Sequence, residues 1–284
     1  MFLYSAVKRR VNQYLEKYYN IYLYHRVNPD LSSNLFDLKV SPRKFESHVQ
    51  LILKHKKVVF ADDLVRNKFE GKAENYAAIT FDDGYEDNFI HALPIIKKYK
   101  IPVTIFLTTA FVDSVGDWML SDLAELAFKG NKLKGDLKEM TQRCRFLKRE
   151  EFTKLLGVDQ LDENDSRPEN RGLNWSQIRE MHETGLIRFE AHGHQHMNYM
   201  HLNEEDIKKD ISTCRSIIER ELNYKSKVFA YPFGSVFDVN MTSHRIVKEM
   251  GFEAAFMATN SKTAKSESPF NYNRIVCAED HIIV

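Results

Sequence analysis

Cysteine is scarce in this chain of 284 residues, which contains only three, at Cys144, Cys214 and Cys277. The three lie far apart in sequence, and none has the spacing of a metal-binding motif. Small proteins that are held together by disulfides need more cysteines than this. The sequence therefore predicts no disulfide framework, which suits a reducing compartment.

Net charge and long hydrophobic runs are also lacking. The formal net charge is +1, and no basic stripe is found in the middle of the chain, so we expect no nucleic-acid partner. The longest apolar stretch, residues 101–112, is shorter than the roughly 20 residues that span a bilayer. Repeats, low-complexity tracts and Pro/Gly linkers are absent as well, which favours one domain over residues 1–284.

The N-terminal stretch, residues 1–19, lacks the pattern of a secretory signal. Its basic residues follow a very short apolar start, and no small-residue cleavage pattern comes after them. We therefore expect a mature, cytoplasmic protein. Apolar residues at helical spacing next to basic residues predict a helix that either packs on its own domain or lies on anionic lipid at the inner face of the membrane, with at most peripheral contact: Leu3, Val7, Val11 and Leu15, with Lys8, Arg9 and Arg10.

What the chain does contain is enough apolar material for a sizeable core, since 43% of its residues are hydrophobic. Short apolar runs alternate with segments of helical periodicity, which is typical of parallel β/α folds. The predicted strands are residues 21–27, 57–63, 77–83, 102–110, 186–192, 227–233, 253–259 and 273–279. The predicted helices are residues 41–55, 86–99, 174–185, 203–223 and 240–251.

This alternation predicts an α/β fold, namely a distorted or incomplete (β/α) barrel of about seven to eight parallel strands. Residues 113–173 break the rhythm with charged helical segments and a polar loop. We interpret them as a helical insertion over one face of the barrel. Such an insertion either shapes a binding site or is a solvated decoration.

Two adjacent aspartates, Asp82 and Asp83, stand at the end of a predicted strand in "ITFDDGYEDN", directly before Gly84. A tight turn alone would explain them, because Asp-Gly favours turns. The histidines of "AHGHQH" offer a second explanation, since His192 and His196 can present both imidazoles to one point. Neutral imidazole is a good ligand for zinc and its neighbours, although surface histidines also cluster by chance.

The position of these residues along the predicted strands is the stronger signal. Asp82 and Asp83 close one strand, His192 closes another, and His25 closes the first in "LYHRV". A further strand ends in "AYPFGS", residues 230–235. Because the carboxyl ends of the strands in a parallel barrel open onto one mouth, these side chains are expected to meet there.

With these motifs in place, the chain resembles the polysaccharide deacetylases of the NodB-homology type, carbohydrate esterase family 4. The family's Thr-Phe-Asp-Asp-Gly motif stands intact as residues 80–84, and its His-(Ser/Thr)-x-x-x-His motif, in a form one residue shorter, is matched by "HGHQH". Gly193 stands there in place of the hydroxyl residue. The similarity covers roughly residues 20–110 and 173–280.

Two departures from the family pattern agree with one branch of it. Ala230 stands in "AYPFG" where the family usually has arginine, and the Leu-x-His motif lies in the first strand, residues 23–25, instead of near the C-terminus. Both features resemble the circularly permuted branch that begins with "YHRV"-like segments. In the family this arginine orients the aspartate that acts as the general base, so its absence leaves open which residue orients that aspartate here. Arg274 is a possible substitute, with a surface or loop-anchoring role as the alternative.

The resemblance implies a role for each matched residue. Asp83, His192 and His196 would hold a divalent metal, most often Zn²⁺, with Co²⁺, Ni²⁺ or Fe²⁺ as alternatives. Asp82 would be the general base and His25 the proton donor. The Phe233 N–H would help to bind the oxyanion, and Phe233 and Tyr231 would form an aromatic wall for a sugar ring or, equally, belong to the core.

The implied activity is removal of an N-acyl group, acetyl or formyl, from an amino sugar in surface-polysaccharide or O-antigen assembly. The glycan could be polymeric, lipid-linked or nucleotide-linked, and the sequence does not define an oligomeric state. Three alternatives remain open: a carbohydrate-binding pseudoenzyme, an iron oxygenase with a two-histidine, one-carboxylate site, and a hydrolase of non-sugar amides on the same fold.

Overall fold

The three-dimensional structure is a computed structural model, and it describes residues 18–32, 34, 36–68, 73–113, 119–129, 151, 154, 171–261, 263–264 and 268–280. The predicted N-terminal helix and most of the predicted insertion lie outside these residues. Within them, no helix is both long enough and apolar enough to cross a membrane.

A mostly parallel sheet forms the centre of the fold. The strands are β1 Tyr18–Tyr24, β4 Lys57–Val58, β5 Tyr76–Phe81, β6 Val103–Leu107, β7 Ile187–Ala191, β8 Val228–Ala230, β9 Ala254–Phe256, β10 Thr263–Ala264 and β11 Ile275–Val276, with a separate parallel pair, β2 Arg26–Val27 and β3 Lys39–Val40. The strands of the main sheet run in the order β10-β1-β5-β6-β7-β8-β9, while β4 pairs with β5 and β11 pairs with β1. All of these pairings are parallel except that of β1 with β10.

The sheet curls into a half-barrel. Tyr272 bridges Phe256 of β9 in parallel fashion, and three residues later β11 pairs with β1 at the opposite end of the strand order. Residues 272–276 therefore contact both sides of the curl, but the contact with β9 is a single isolated bridge, so no continuous ladder of the described residues closes the barrel. This agrees with the predicted incomplete (β/α) barrel.

Helices cover the sheet, and their starts follow from the sequence. They are α1 Pro42–His55, α2 Ala61–Val65, α3 Leu93–Tyr99, α4 Leu120–Lys129, α5 Trp175–Glu183, α6 Glu204–Leu222 and α7 Met241–Glu249. Ser41 caps α1, and Asn174 and Asn240 form capping boxes at the starts of α5 and α7. Each cap side chain accepts a hydrogen bond from a backbone N–H that has no partner inside the helix.

Three predicted elements differ clearly from the structure. The predicted strand 21–27 covers the end of β1 and all of β2, which belongs to the separate parallel pair. The predicted strand 57–63 is a strand only at Lys57–Val58, because α2 begins at Ala61, and Asp62 and Asp63 in its first turn favour a helix start. The predicted helix 86–99 begins as a π-turn, Asn88–Ala92, before α3. Pro94 has no N–H to donate in the helical ladder, which disfavours a regular helix there.

A buried ionic cluster fastens α4, which lies within the predicted insertion, to the half-barrel. The Arg26 guanidinium donates to Asp87 at 2.8 Å and to Asp122 of α4 at 3.3 Å. It also lies 4.3 Å from the ring centre of Tyr85, whose hydroxyl donates to Asp122 at 2.9 Å. These four side chains are buried, so each charge depends on its neighbours for compensation.

Replacement of Arg26 by methionine is expected to lower the free energy of unfolding by about 3–5 kcal/mol, because it leaves Asp87 and Asp122 buried without their cation. Urea unfolding of the two proteins measures the difference. Arg220→Met is the matched control, since Arg220 pairs with Glu221 at an exposed site, where an ion pair stabilises little. Equal losses in the two variants would contradict this account.

Candidate active site

The two aspartates lie in a tight turn that follows β5. Asp83 and Gly84 both have positive φ angles, 74° and 87°, and a Cβ on Gly84 would come within 2.7 Å of the Leu107 side chain. Asp tolerates this conformation better than most residues, and glycine accepts it freely. The Asp82 N–H donates to the carbonyl of Tyr24 at 3.0 Å, which ties the turn to the end of β1. The tight turn and the functional role of "DDG" are therefore compatible, and one does not exclude the other.

Arg274 pairs with Asp82 at the end of β5. Its Nη1 and Nη2 donate to the two carboxylate oxygens of Asp82, each at 2.6 Å. Its Nε donates to the carbonyl of Met257 at 2.9 Å, so the guanidinium is fixed in orientation. Arg274 is fully buried just before β11, so it is not a surface residue, and its bond to Met257 means that it also anchors the chain directly after β9.

The histidines lie on a loop after β7 that depends on Asp210. One oxygen of Asp210 accepts from the His194 N–H at 3.0 Å and from the Tyr199 hydroxyl at 2.7 Å, and the other accepts from the Gln195 N–H at 2.9 Å. A Cβ at Gly193 would lie 2.6 Å from Asp210, and the φ angle of Gly193 is +81°. Glycine instead of a hydroxyl residue at this position is therefore a steric requirement of the loop.

Asp83, His192 and His196 converge on one point. Their ligand atoms all lie within 4.8 Å of one another, with 3.5 Å from His192 Nε2 to Asp83 Oδ1 and 3.3 Å from His196 Nε2 to the same oxygen. His192 Nδ1 lies 2.8 Å from the carbonyl oxygen of Ala230, which can only accept. Nδ1 therefore carries the hydrogen, and Nε2 turns a free lone pair toward Asp83.

These three side chains fit a divalent cation. Asp83 Oδ1 is buried and has no hydrogen-bond partner among the described residues. Burial and the neighbouring Asp82 raise the pKa of Asp83 well above its ordinary value. Burial lowers the pKa of His192 and that of His196, so both rings are neutral at pH 7, the form that binds metal. Two neutral imidazoles and one carboxylate are a donor set that suits zinc and related metals.

Asp82 differs from its neighbour because of Arg274. Burial alone would raise the pKa of Asp82, but Arg274, and to a smaller extent His192, lower it to about 2. Asp82 is thus ionised at every working pH. Asp83 is the carboxyl group whose ionised form a cation would stabilise most. The two adjacent carboxyl groups have distinct electrostatic environments, as two separate roles require.

His25 lies at the end of β1 and is half-buried at the same mouth, where Asp82, Arg274 and His192 are its electrostatic neighbours. Burial lowers its pKa to about 4, partly opposed by Asp82. His25 is therefore neutral at pH 7 before substrate binds, and it must receive a proton before it can donate one.

Phe233 and Tyr231, which the sequence paired as an aromatic wall, have separate positions. The ring of Phe233 lies 4.8 Å from that of His196, and its N–H has no hydrogen-bond partner within the described part of the chain. Tyr231 is only 1% exposed, and its hydroxyl donates to the carbonyl of Phe270 at 3.2 Å. The prediction that Tyr231 faces a sugar is wrong, because it packs in the core.

The remaining histidines of the loop and of α7 do not join the site. His194 Nδ1 is hydrogen-bonded to the Thr109 hydroxyl at 2.9 Å, and His244 packs against Tyr231. Sequence reasoning missed Asp210, which organises the loop without touching the metal ligands. A signal was available, since Asp210 shares the buried face of α6 with Ile207 and Cys214 and is itself buried.

Comparison with known families identifies the class of protein. The polysaccharide deacetylase family model matches residues 70–255, which is more than half of the chain. The chain belongs to the polysaccharide deacetylase family, a family of hydrolases. Because this is a family of hydrolases, the two histidines and one carboxylate are not interpreted as the site of an iron oxygenase.

Individual relatives agree with this assignment. The chain is 23% identical over 259 residues to the poly-β-1,6-N-acetyl-D-glucosamine N-deacetylase of Staphylococcus aureus, covering 88% of this chain and 71% of the relative, and 22% identical to that of Staphylococcus epidermidis. Among solved structures, it is similar to IcaB from Ammonifex degensii (TM-score 0.65, 19% identity) and to the Streptococcus pyogenes deacetylase PplD (TM-score 0.65, 17% identity), with 93% of both chains covered in each comparison. These structural likenesses support the fold.

Replacement of Arg274 by methionine is expected to move the acid limb of kcat/KM to higher pH. Asp82 must be ionised to accept a proton, and without the guanidinium its burial raises its pKa. Loss of the fixed orientation is expected to lower kcat by about 10²-fold. A pH profile of amide hydrolysis measures both effects.

Arg274→Lys is the matched variant, because it keeps the charge but not the paired N–H donors, and it should give an intermediate shift of the acid limb. Thermal unfolding of all three proteins separates this effect from loss of fold. An Arg274→Met protein with the acid limb and kcat of the wild type would contradict the assignment.

Proposed function

We propose that this protein is a metal-dependent N-deacetylase that removes acetyl groups from amino sugars within a polysaccharide or its precursor. The observation that carries the proposal is the convergence of Asp83, His192 and His196 beside an Asp82 that Arg274 holds ionised. The three candidate metal ligands and the candidate base lie together at the carboxyl ends of the strands, although they follow different strands.

The chain's own residues supply most of what amide hydrolysis needs. Asp83, His192 and His196 would hold the metal, which when bound supplies a Lewis acid for the carbonyl oxygen and for a water. Asp82, with both oxygens fixed by Arg274, accepts the proton of the attacking water. The N–H of Phe233, which has no hydrogen-bond partner among the described residues and whose ring lies 4.8 Å from that of His196, would donate to the developing oxyanion.

Departure of the amine completes the reaction. As the carbon–nitrogen bond breaks, the nitrogen takes up a proton, and His25 is the group at this mouth that supplies it. Because its pKa lies near 4, the proton that it gives must first be transferred to it within the site. Asp82, which has just accepted a proton from water, is an electrostatic neighbour of His25 and is the source that we propose.

The relatives favour a polymer as the substrate. The two staphylococcal relatives are N-deacetylases of poly-β-1,6-N-acetyl-D-glucosamine, and they match 88% of this chain. We propose the same class of substrate, a β-linked polymer of an N-acetylated amino sugar. O-antigen precursors, a formyl group, lipid or nucleotide linkage, zinc as the native metal and a cytoplasmic location remain predictions from the sequence.

Purified protein with added Zn²⁺ or Co²⁺ is expected to release primary amine and acetate from N-acetylglucosamine oligomers, and a chelator should abolish the release. Asp82→Asn should retain bound metal, measured by elemental analysis, and lose about 10²–10⁴-fold in rate. Asp83→Asn should instead lose the metal. No amine release from wild-type protein loaded with metal would contradict the proposed function.

Replacement of His25 by alanine should affect amides far more than activated esters. Hydrolysis of an amide expels an amine, which must take up a proton in order to leave. Hydrolysis of 4-nitrophenyl acetate expels 4-nitrophenolate, which leaves without a proton. We expect the amide rate of His25→Ala to fall by about 10²-fold or more relative to its ester rate. Parallel losses on both substrates would show that His25 has another role.

A further inference from the structure

An exposed apolar surface stands next to the candidate active site. The three most exposed large hydrophobic side chains of the described residues are Val236, Phe237 and Met241, at 63%, 71% and 80% exposure. The others are less exposed: Leu51 and Leu53 on α1 reach 38% each, and Ile90 reaches 48%. We name Val236, Phe237 and Met241 the apolar rim. Exposed apolar groups that cluster in this way mark binding surfaces more often than isolated ones do.

The apolar rim follows Phe233 closely in the chain. Val236 and Phe237 belong to the same loop as Phe233, whose ring lies 4.8 Å from that of the candidate ligand His196, and Met241 begins α7 directly after that loop. The Cα atoms of Phe233 and Phe237 cannot be more than about 14 Å apart, because only four Cα-to-Cα steps of the chain connect them. A short oligosaccharide with one sugar at the metal covers that distance.

The loop that presents the rim is held rigidly by Asp238, which is buried. One oxygen of Asp238 accepts from the Ser235 N–H at 3.0 Å, and the Ser235 hydroxyl donates to the same oxygen. The other oxygen accepts from Asn198 at 2.9 Å, and Asn198 lies two residues after His196. Val236 and Phe237 thus stand at the tip of an ordered turn, so little conformational entropy is lost when they are covered.

The charges around the rim favour an uncharged partner. Residues 233–242 contain no Lys or Arg, and their one acidic residue, Asp238, is buried. The nearest Lys or Arg along the chain, Arg245, is paired with Glu204 and Glu249. Surfaces that lie on anionic membranes combine apolar groups with Lys and Arg. A neutral glycan needs no such charges, and the C–H face of a pyranose ring packs well on an aromatic ring.

We propose that the apolar rim is a docking subsite for sugar units that extend from the amino sugar under attack, with Phe237 as the stacking residue. The inference rests on the proposed function and makes it more specific: the enzyme would distinguish a polymer from a monosaccharide by contacts at Val236, Phe237 and Met241. Short substrates reach the metal without touching this surface.

The test compares chain lengths. For Phe237→Ala, we expect the ratio of kcat/KM for an N-acetylglucosamine hexamer to that for the dimer to fall about fivefold, the size of one aromatic stacking contact. Phe237→Trp should keep the wild-type ratio, because it retains a ring. Leu51→Ala, at an exposed position on α1, is the matched control and should keep the ratio of the wild type.

A binding measurement separates this inference from the proposed function. Hexamer affinity, measured by calorimetry in proteins that all carry Asp82→Asn, should weaken about fivefold with Phe237→Ala, whether or not wild-type protein turns the hexamer over. Absence of turnover in the wild type would count against the function alone. Unchanged affinity and an unchanged hexamer-to-dimer ratio would overturn the docking subsite.

A membrane is the competing partner, and cosedimentation with vesicles of phosphatidylglycerol and phosphatidylethanolamine tests for it. We expect Phe237→Ala and wild-type protein to sediment equally with these vesicles. If the substitution instead lowers vesicle binding and leaves the hexamer affinity unchanged, the apolar rim is a membrane contact and the proposal is wrong.

Discussion

The buried pairing of Arg274 with Asp82 is the interaction on which the site depends. Two adjacent carboxylates at a buried turn would repel each other, and both would tend to hold a proton. The guanidinium, with two N–H groups on the two oxygens of Asp82, keeps that group ionised. Asp83, whose Oδ1 faces two neutral imidazoles, is then the carboxyl group whose ionised form burial and Asp82 disfavour. A cation held there would stabilise the ionised form of Asp83.

The loops around this pair are fixed by residues that do not touch the reacting atoms. Asp210 holds the histidine loop, Asp238 ties that loop to the Phe233 loop through Asn198, and Met257 fixes Arg274 through its carbonyl. Each loop follows or precedes a short strand of the half-barrel. The parallel sheet therefore sets the positions of the loop ends, and buried acids set the conformation of the loops.

The sequence predicted the half-barrel because its strands are apolar runs that alternate with periodic helices, and it predicted the ligand candidates because they end such runs. It could not assign Arg274, since nothing local distinguishes a buried arginine of a late strand from a loop anchor. The interpretation of Tyr231 as a sugar-facing residue was wrong for a related reason. One residue after a strand, a side chain can face the core or the barrel mouth, and only its packing against Phe229 and His244 places Tyr231 in the core. Asp210 was missed because its role depends on the fold of a distant loop.

Crystals of the wild-type protein grown with Zn²⁺ would test the central claim most directly, through anomalous scattering at the zinc edge. The account predicts one strong peak at ordinary coordination distances, about 2.0–2.2 Å, from Asp83, His192 and His196, with Asp82 still paired to Arg274. A zinc ion bound by Asp82 in place of Asp83, or a peak elsewhere with these three side chains free, would contradict it.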